Sequence, residues 1–175
     1  MSDKISRNCV RIGDNVIKTT RHTPGMAEAG YVGFGNELHK FTFANEVNWL
    51  RKLKDFDRVP NLIDYNESDL TITMDYCGEN INKNNIPENW IEQVLLILDE
   101  FREYKISHND IKPSDILVKD EKIMMIDFGW STSYGHSIPI NWPTSIGFDF
   151  RYNVKDFNDS YSFFKSIGSV IDENN

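Results

Sequence analysis

Three pairs of short apolar runs, each pair joined by a polar turn, constrain the fold of this chain more than any other feature. The pairs span residues 9–20, 62–74 and 116–126, and their runs are rich in Val, Ile, Leu and Thr. Short β-branched runs on either side of turn-forming residues are typical of antiparallel hairpins. The sequence therefore predicts three hairpins along the chain.

Three other segments have the periodicity of helices. Apolar residues recur every three to four positions over 43–53 and again over 161–171, and a further helix is predicted to begin at Pro87, a residue type favoured in a first turn. The segment 21–36, which carries four glycines, is predicted to be a loop, and the Asn-rich run 80–85 a connector. This order predicts two lobes of unequal composition with the Asn-rich run between them.

The composition excludes several classes of protein. With 175 residues, 39% of them hydrophobic, the chain has enough apolar material for one folded domain with a core. The net charge is -8 and no basic patch is evident, which disfavours binding to nucleic acids or anionic membranes. Cys9 and Cys77 belong to no metal-binding pattern and are expected to be free thiols. No stretch resembles a signal peptide or a membrane span, so we expect a soluble, cytoplasmic protein.

Acidic side chains are concentrated around the third hairpin. Asp110 and Asp115 precede its first strand, and Asp127 directly follows its second, so the hairpin brings the three carboxylates to one end. A single Asp in such a place is most often a turn residue or a helix cap. Three carboxylates together with Lys112 are less easily explained in that way, and hard oxygen ligands of this kind suit Mg²⁺ bound beside phosphates.

The residues around these carboxylates resemble a known family. HNDIKPSDILV at 108–118, followed by IDFG at 126–129, resembles the catalytic loop and metal-binding turn of protein kinases, H-R-D-x-x-x-x-N and D-F-G. VIK at 16–18 resembles the end of the strand that carries the kinase lysine. Glu46 resembles the helix glutamate that pairs with that lysine, and MDYC at 74–77 resembles the gatekeeper and hinge.

The resemblance extends over most of the chain. DSYSF at 159–163 resembles the start of the large helix that supports the catalytic loop. The implied structure is a single domain with an α+β, bilobal protein kinase-like fold. Its small β-rich N-terminal lobe would span 1–76, its hinge and connector 75–86, and its reduced, mostly helical C-terminal lobe 87–175.

The resemblance also implies roles in phosphoryl transfer. Asp110 would accept the proton of the attacking hydroxyl, and Lys112 would offset charge on the transferred phosphate. Asp127 and Asp115 would bind Mg²⁺. Lys18 would contact the α- and β-phosphates of ATP.

The resemblance also implies which residues bind the rest of the nucleotide and which residue holds Lys18 in place. Glu46 would form an ion pair with Lys18. The remaining nucleotide-binding residues would be Val16 and Leu117 on either side of the adenine, Met74 as an apolar wall, and the hinge backbone from Asp75 to Cys77.

Several of these residues have simpler alternatives. Glu37 is a rival partner for Lys18, although Glu46 is favoured because Leu50 and Leu53 follow it at helical spacing. In kinases of this pattern the histidine equivalent to His108 packs in the core under the Phe of D-F-G, and we expect the same here. Cys77 is expected to be an inert hinge residue and Trp130 a packing residue.

The chain also departs from the family pattern. No G-x-G-x-x-G loop precedes the lysine, and the segment 2–8, with Ser6 and Asn8, is the candidate cover for the phosphates. Asn109 replaces the arginine that reads an activating phosphate in the family, which argues against switching by phosphorylation. Asp115 replaces the metal-binding asparagine. No A-P-E motif follows, which implies a reduced larger lobe.

Three functions remain open at this point. Lys112, two residues after Asp110, is the family's mark of Ser/Thr kinases and favours a minimal protein kinase that acts on protein substrates, with an activating or docking partner. Asn109 favours a small-molecule kinase similar to choline or aminoglycoside kinases. The missing glycine loop and Asp115 favour a pseudokinase that binds nucleotide or a partner without turnover.

Overall fold

The structure, a computed structural model, describes residues 2–6, 8–20, 35–134 and 157–172. The Gly-rich loop expected over 21–36 therefore lies outside the described residues except for its last two positions, which are helical.

The N-terminal part is an antiparallel sheet of five strands. The strands are β1 Ser2–Lys4, β2 Cys9–Ile12, β3 Asn15–Thr19, β4 Leu62–Asn66 and β5 Thr71–Asp75. Their spatial order is β1-β2-β3-β5-β4. The first two predicted hairpins are confirmed, since β2 pairs with β3 and β4 pairs with β5. The segment before Cys9 adds an edge strand that the sequence analysis did not predict, and it pairs with β2.

The first helix, α1, spans Gly35–Lys52 and packs on this sheet. It begins well before Phe43, where the predicted stripe starts. Leu38 extends the buried stripe toward the N-terminus of the helix, and Glu37 lies in the first turn, where an acidic side chain interacts favourably with the helix dipole. Leu38 and Phe41 lie three residues apart, which is helical spacing, but the four glycines of 21–36 favour a loop just before them.

After β5, the described residues form two α-helices and several short strands. The elements in chain order are β6 Glu79–Asn80, α2 Trp90–Glu103, β7 Ile106–Ser107, β8 Ile116–Lys119, β9 Lys122–Met125, β10 Thr132–Ser133 and α3 Asp159–Asp172. The third predicted hairpin is confirmed as β8 and β9, with β6 paired to the outer side of β8. The short strands β7 and β10 pair with each other.

The helix α2 begins later than predicted. The sequence predicts its start at Pro87, whereas the helix starts at Trp90. The Trp90 N–H donates to the Pro87 carbonyl at 3.1 Å, so residues 87–89 form a turn that leads into the helix. The predicted third helix is confirmed as α3. Unlike α2, it begins earlier than expected, at Asp159, two residues before the apolar stripe predicted over 161–171.

One continuous apolar core joins these elements. Its fully buried members include Leu53 after α1, Ile72 on β5, Ile97 on α2, Phe128 after β9, and Phe163 on α3. Burying a side chain of this size contributes about 1.5–3 kcal/mol relative to leaving it exposed. The sheet and the helices are therefore held by the same core.

Gly78 fixes the chain where the five-stranded sheet passes into the rest of the fold. Its φ is +99°, and a Cβ at this position would lie 2.1 Å from the carbonyl oxygen of Val118. Neither the backbone angle nor the space admits a larger residue. The close approach brings the chain after Cys77 directly against β8.

The expected α+β class is confirmed by this arrangement of an antiparallel N-terminal sheet followed by α2, α3 and short strands. The lobe boundaries at 1–76, 75–86 and 87–175 stay predictions. Among the described residues, no helix combines the length and apolar character that crossing a bilayer requires.

The docking of α3 can be tested with a matched pair of substitutions. Ile167 is fully buried, whereas Ile171, one turn later on the same helix, is 46% exposed. Ile167→Ala should lower the free energy of unfolding by about 2–5 kcal/mol because it leaves a cavity in the core. Ile171→Ala should change it by less than about 0.5 kcal/mol. Urea denaturation measures both, and equal small effects would contradict the packing of α3 in the core.

Candidate active site

Lys18 lies at the centre of a charged group that joins three parts of the chain. Its Nζ is 2.9 Å and 2.8 Å from the two carboxylate oxygens of Glu46, and 2.8 Å from Oδ1 of Asp127. Lys18 comes from β3, Glu46 from α1, and Asp127 from the turn after β9. The sheet, the helix and the third hairpin therefore meet at one ammonium group.

The charges of this group depend on one another. Burial alone would lower the pKa of Lys18, but the carboxylates of Asp127 and Glu46 outweigh it and raise that pKa above its usual value. Burial alone would raise the pKa of Asp127, but Lys18 and Lys112 hold it well below its usual range. Burial raises the pKa of Glu46 more than Lys18 lowers it. At neutral pH, Lys18 and Asp127 therefore form a charged pair.

The rival glutamate on α1 lies elsewhere. The Glu37 side chain is 84% exposed and forms an ion pair with Lys40 at 3.0 Å. Glu46 has a side chain that is only 3% exposed. The helical spacing that favours Glu46 over Glu37 as the partner of Lys18 thus agrees with the geometry.

A second lysine organises the loop before β8. Lys112 Nζ lies 3.0 Å from Oδ2 of Asp110 and 2.6 Å from Oδ2 of Asp115. The Ser114 hydroxyl donates to Oδ1 of Asp115 at 3.1 Å. Burial raises the pKa of Asp115 to about 8 despite the attraction of Lys112. Burial lowers the pKa of Lys112, but Asp115 and Asp110 outweigh that effect and raise it.

The loop that carries Asp110 is held in place by hydrogen bonds to the first residue of α3. The backbone N–H groups of His108 and Asn109 donate to the two carboxylate oxygens of Asp159, at 2.6 Å and 2.8 Å. Because Asp159 is the first residue of α3, the packing of that helix in the core sets the position of the loop.

His108 has the surroundings of a structural residue, as the sequence analysis expects. Its side chain is fully buried, and its ring centroid is 4.9 Å from that of Phe128. Its Nε2 is 3.0 Å from the carbonyl oxygen of Ile126. Trp130 likewise packs, with its ring centroid 6.3 Å from that of Phe41.

A cavity of about 320 Å³ connects the two lysines. It lies between the N-terminal sheet and the β8–β9 hairpin. The predicted site residues that line it are Val16, Lys18, Glu46, Met74, Asp75, Cys77, Lys112, Asp115, Leu117 and Asp127. Asp110 is the predicted site residue that does not line the cavity, and it is linked to it through Lys112.

The cavity has an apolar end and a charged end. Val16, Met74 and Leu117 lie at the apolar end, beside the chain from Asp75 to Cys77. The N–H of the intervening residue, Tyr76, donates to the Asp14 carbonyl at 2.8 Å. Burial raises the pKa of the Cys77 thiol to about 12, so this cysteine stays protonated at neutral pH, in agreement with an inert hinge residue.

The charged end offers oxygen donors that suit Mg²⁺. The Asp127 side chain is 35% exposed and lines the cavity, and Lys18 contacts its Oδ1. Both oxygens of Asp115 are engaged, one by Lys112 and the other by Ser114. Carboxylate oxygens are donors that Mg²⁺ prefers, and Asp127 is the more open of the two. Within the described ranges, no group of three or more His, Cys, Asp or Glu side chains is arranged to hold a metal ion.

Some residues of the cavity wall lie outside the predicted site. Cys9 lines the cavity because it pairs directly with Lys18 across the β2–β3 hairpin, and that register is a signal that was available in the sequence. Ile126 also lines it, directly before Asp127. Of the two polar residues proposed to cover the phosphates, Ser6 lines the cavity, whereas Asn8 is not among its wall residues.

Comparisons with known proteins agree with this geometry. A family model described as "Protein kinase domain" matches residues 35–151, which is more than half of the chain. A probable cyclin-dependent serine/threonine-protein kinase of Dictyostelium discoideum is 33% identical over 105 residues, covering 52% of this chain and 8% of that protein. The serine/threonine-protein kinase MPS1 of Encephalitozoon cuniculi is 32% identical over 108 residues, covering 55% of this chain and 18% of that protein. The chain thus matches only a small part of the length of these relatives.

A solved structure gives the same fold. The kinase PK-1 of Cydia pomonella Granulovirus superimposes with a TM-score of 0.55 at 14% sequence identity, covering 95% of this chain and 64% of that one. At this level of identity the similarity concerns the fold alone.

The burial of His108 gives the protein a specific response to pH. Burial lowers the pKa of His108, so below the ordinary histidine pKa of about 6.5 the unfolded chain binds more protons at this residue than the folded chain does. Stability from this residue should therefore fall as the pH decreases below about 6.5, by at most about 1.4 kcal/mol per pH unit.

The measurement is the free energy of unfolding of the parent and of His108→Asn between pH 7.5 and pH 5. The advantage of the parent over the variant should shrink toward low pH, because Asn does not titrate. A difference that stays constant over this range would contradict a neutral, buried His108.

Proposed function

Because the chain belongs to the protein kinase family, we propose that it is an ATP- and Mg²⁺-dependent phosphotransferase that acts on Ser or Thr hydroxyls of proteins. The observation that supports this most is the position of Lys18, which lies 2.8–2.9 Å from oxygens of both Glu46 and Asp127 at the charged end of the cavity. Phosphoryl transfer needs positioned charge more than covalent chemistry, and this group provides it.

The apolar end of the cavity is the proposed adenine site. Val16 on β3 and Leu117 on β8 would contact the two faces of the base, and Met74 would form its inner wall. The backbone from Asp75 to Cys77 would bind its polar edge. All of these residues line the cavity, and their apolar surface would exclude water from the base.

The charged end is the proposed phosphate site. Lys18 would bind the α- and β-phosphates, with Glu46 holding its side chain in place. Asp127 and Asp115 are the residues that would hold Mg²⁺, which when bound neutralises charge on the phosphates. For Asp115 to bind Mg²⁺, its contact with Lys112, which is 2.6 Å long here, would have to lengthen.

The transfer itself is assigned to the loop before β8. The substrate hydroxyl oxygen forms a bond to the γ-phosphorus while the bond from that phosphorus to the bridging oxygen of ADP breaks. Asp110 takes up the hydroxyl proton. Lys112, held between Asp110 and Asp115, places its positive charge beside the phosphate being transferred.

The choice of a protein hydroxyl as acceptor is supported by Lys112 and by the relatives. Lys112 follows Asp110 by two residues, as in Ser/Thr kinases, and the two curated relatives described above are serine/threonine-protein kinases.

The net charge of -8 disfavours nucleic acid as a partner. We further propose a cytoplasmic location and a protein partner that assists substrate docking.

The test is transfer of the labelled γ-phosphate of ATP by the parent, Asp110→Asn and Asp172→Asn. Asp172 is exposed on α3, so its variant carries the same chemical change away from the cavity. Asp110→Asn should lower turnover by about 10²–10⁴-fold because the proton acceptor is lost, and Asp172→Asn should match the parent. Mixed protein substrates and a metabolite pool are offered in parallel.

Label on proteins with Mg²⁺, and none with Asp110→Asn, supports the proposal. Label that appears only on metabolites would replace the proposal with a small-molecule kinase. ATP binding without any transfer would replace it with a nucleotide-binding protein that lacks turnover.

A further inference from the structure

The helix that carries Glu46 is hydrogen-bonded to the chain just after Asp127. The side-chain amide of Asn45 donates to the carbonyl of Gly129 at 3.0 Å and to that of Ser131 at 2.8 Å. The indole N–H of Trp49 donates to the same Ser131 carbonyl at 3.1 Å. Asn45 and Trp49 are four residues apart, so they lie on one face of α1. Glu46 is therefore flanked by two side chains that bind the backbone of the opposite segment.

A third side chain also binds this segment. The Asn109 amide nitrogen is 3.0 Å from the carbonyl oxygen of Trp130 and 2.9 Å from the hydroxyl of Thr132. It also lies 3.2 Å from the carbonyl oxygen of Ser107. The φ of Asn109 is +69°, a backbone region that Asn adopts more readily than most residues. The segment 129–132 is thus bonded both to α1 and to the loop that carries Asp110.

The packing around these hydrogen bonds is close. The helix α1 packs more extensively against the turn at 128–130 than against any strand. A Cβ on Gly129 would lie 3.3 Å from Cβ of Thr42, so a glycine lets the helix approach this closely. Trp49, Asn109 and Ser131 are all nearly fully buried. Water therefore has little access to the Trp49–Ser131 hydrogen bond, which is buried, and breaking it leaves a buried N–H without a partner. The hydrogen bonds of Asn45 and Asn109 are partly buried.

None of the three donors lines the cavity. Their effect on the chemistry can only be indirect, through the elements that they connect. Lys18 depends on Glu46 and Asp127 being 2.8–2.9 Å away at the same time. That condition is met only while α1 and the segment after Asp127 keep their relative position.

We propose that Asn45, Trp49 and Asn109, here called the carbonyl clamp, are positioning residues that hold Glu46 at Lys18 in the chain alone, without an added phosphate group or a bound partner. The inference rests on the function proposed above and adds its regulation. The site is assembled by the fold itself, and any docking partner acts on substrate delivery rather than on the position of α1.

The decisive variant is Asn45→Asp. It has nearly the same shape, but it replaces the amide donor with an oxygen that faces the carbonyls of Gly129 and Ser131. Asn48→Asp is the matched control, because Asn48 is exposed on the same helix and the change in charge is the same. Trp49→Phe is a second variant that removes the N–H donor and keeps an aromatic ring.

The first measurement is the affinity for adenosine and for ATP with Mg²⁺, by calorimetry. Each protein is treated with phosphatase and shown by mass spectrometry to carry no phosphate. The phosphate-free parent should bind ATP with Mg²⁺ more tightly than adenosine. Asn45→Asp should lose at least about tenfold of that preference while its adenosine affinity is kept. Asn48→Asp should match the parent.

The second measurement is amide hydrogen exchange over residues 128–134. Exchange should be faster in Asn45→Asp and in Trp49→Phe than in the parent, and unchanged in Asn48→Asp. The clamp is overturned if Asn45→Asp keeps both the parent's preference for ATP and its slow exchange. It is also overturned if phosphatase treatment abolishes the preference of the parent.

The two proposals can fail separately. A parent that binds no nucleotide and transfers no phosphate would overturn the proposed function. Hydrogen exchange would then still decide the clamp, since slow exchange in the parent and fast exchange in Asn45→Asp would support it and equal exchange would overturn it.

Discussion

The arrangement of the whole site depends on the two ion pairs that the ammonium group of Lys18 forms. That group is bonded to Glu46 from α1 and to Asp127 from the turn after β9. Removing charges from water costs free energy, and a buried ion pair recovers that cost only when its geometry is good. Lys18 therefore links the sheet, the helix and the third hairpin only while the core and the carbonyl clamp hold these three elements in their relative positions.

The parts of the fold that follow local rules could be predicted from the sequence. The β2–β3, β4–β5 and β8–β9 hairpins were predictable because the alternation of apolar residues and the turn between them lie within about 15 residues of chain. The choice of Glu46 over Glu37 follows from helical spacing, which is also local. Ten of the predicted site residues line one cavity because the family motif specifies how these hairpins and α1 are combined.

The parts that depend on contacts between distant segments could not be predicted. Asn45 reaches the carbonyl of Ser131 across 86 positions of chain, and nothing in the residues around Asn45 marks it as a donor. The double contact of Lys112 with Asp110 and Asp115 is local, two and three residues away, but it depends on the turn geometry of the loop, which the residue types alone do not specify. The early start of α1 is hidden because the four glycines of 21–36 favour a loop just before Leu38.

We propose that Asp127, held by Lys18, is the carboxylate that makes nucleotide binding depend on Mg²⁺. The most direct measurement is the affinity of the parent and of Asp127→Asn for ATP, each with and without Mg²⁺. We expect Mg²⁺ to tighten binding of ATP to the parent and to leave binding to Asp127→Asn nearly unchanged, with both proteins folded. An Asp127→Asn protein that gains as much affinity from Mg²⁺ as the parent would contradict the account.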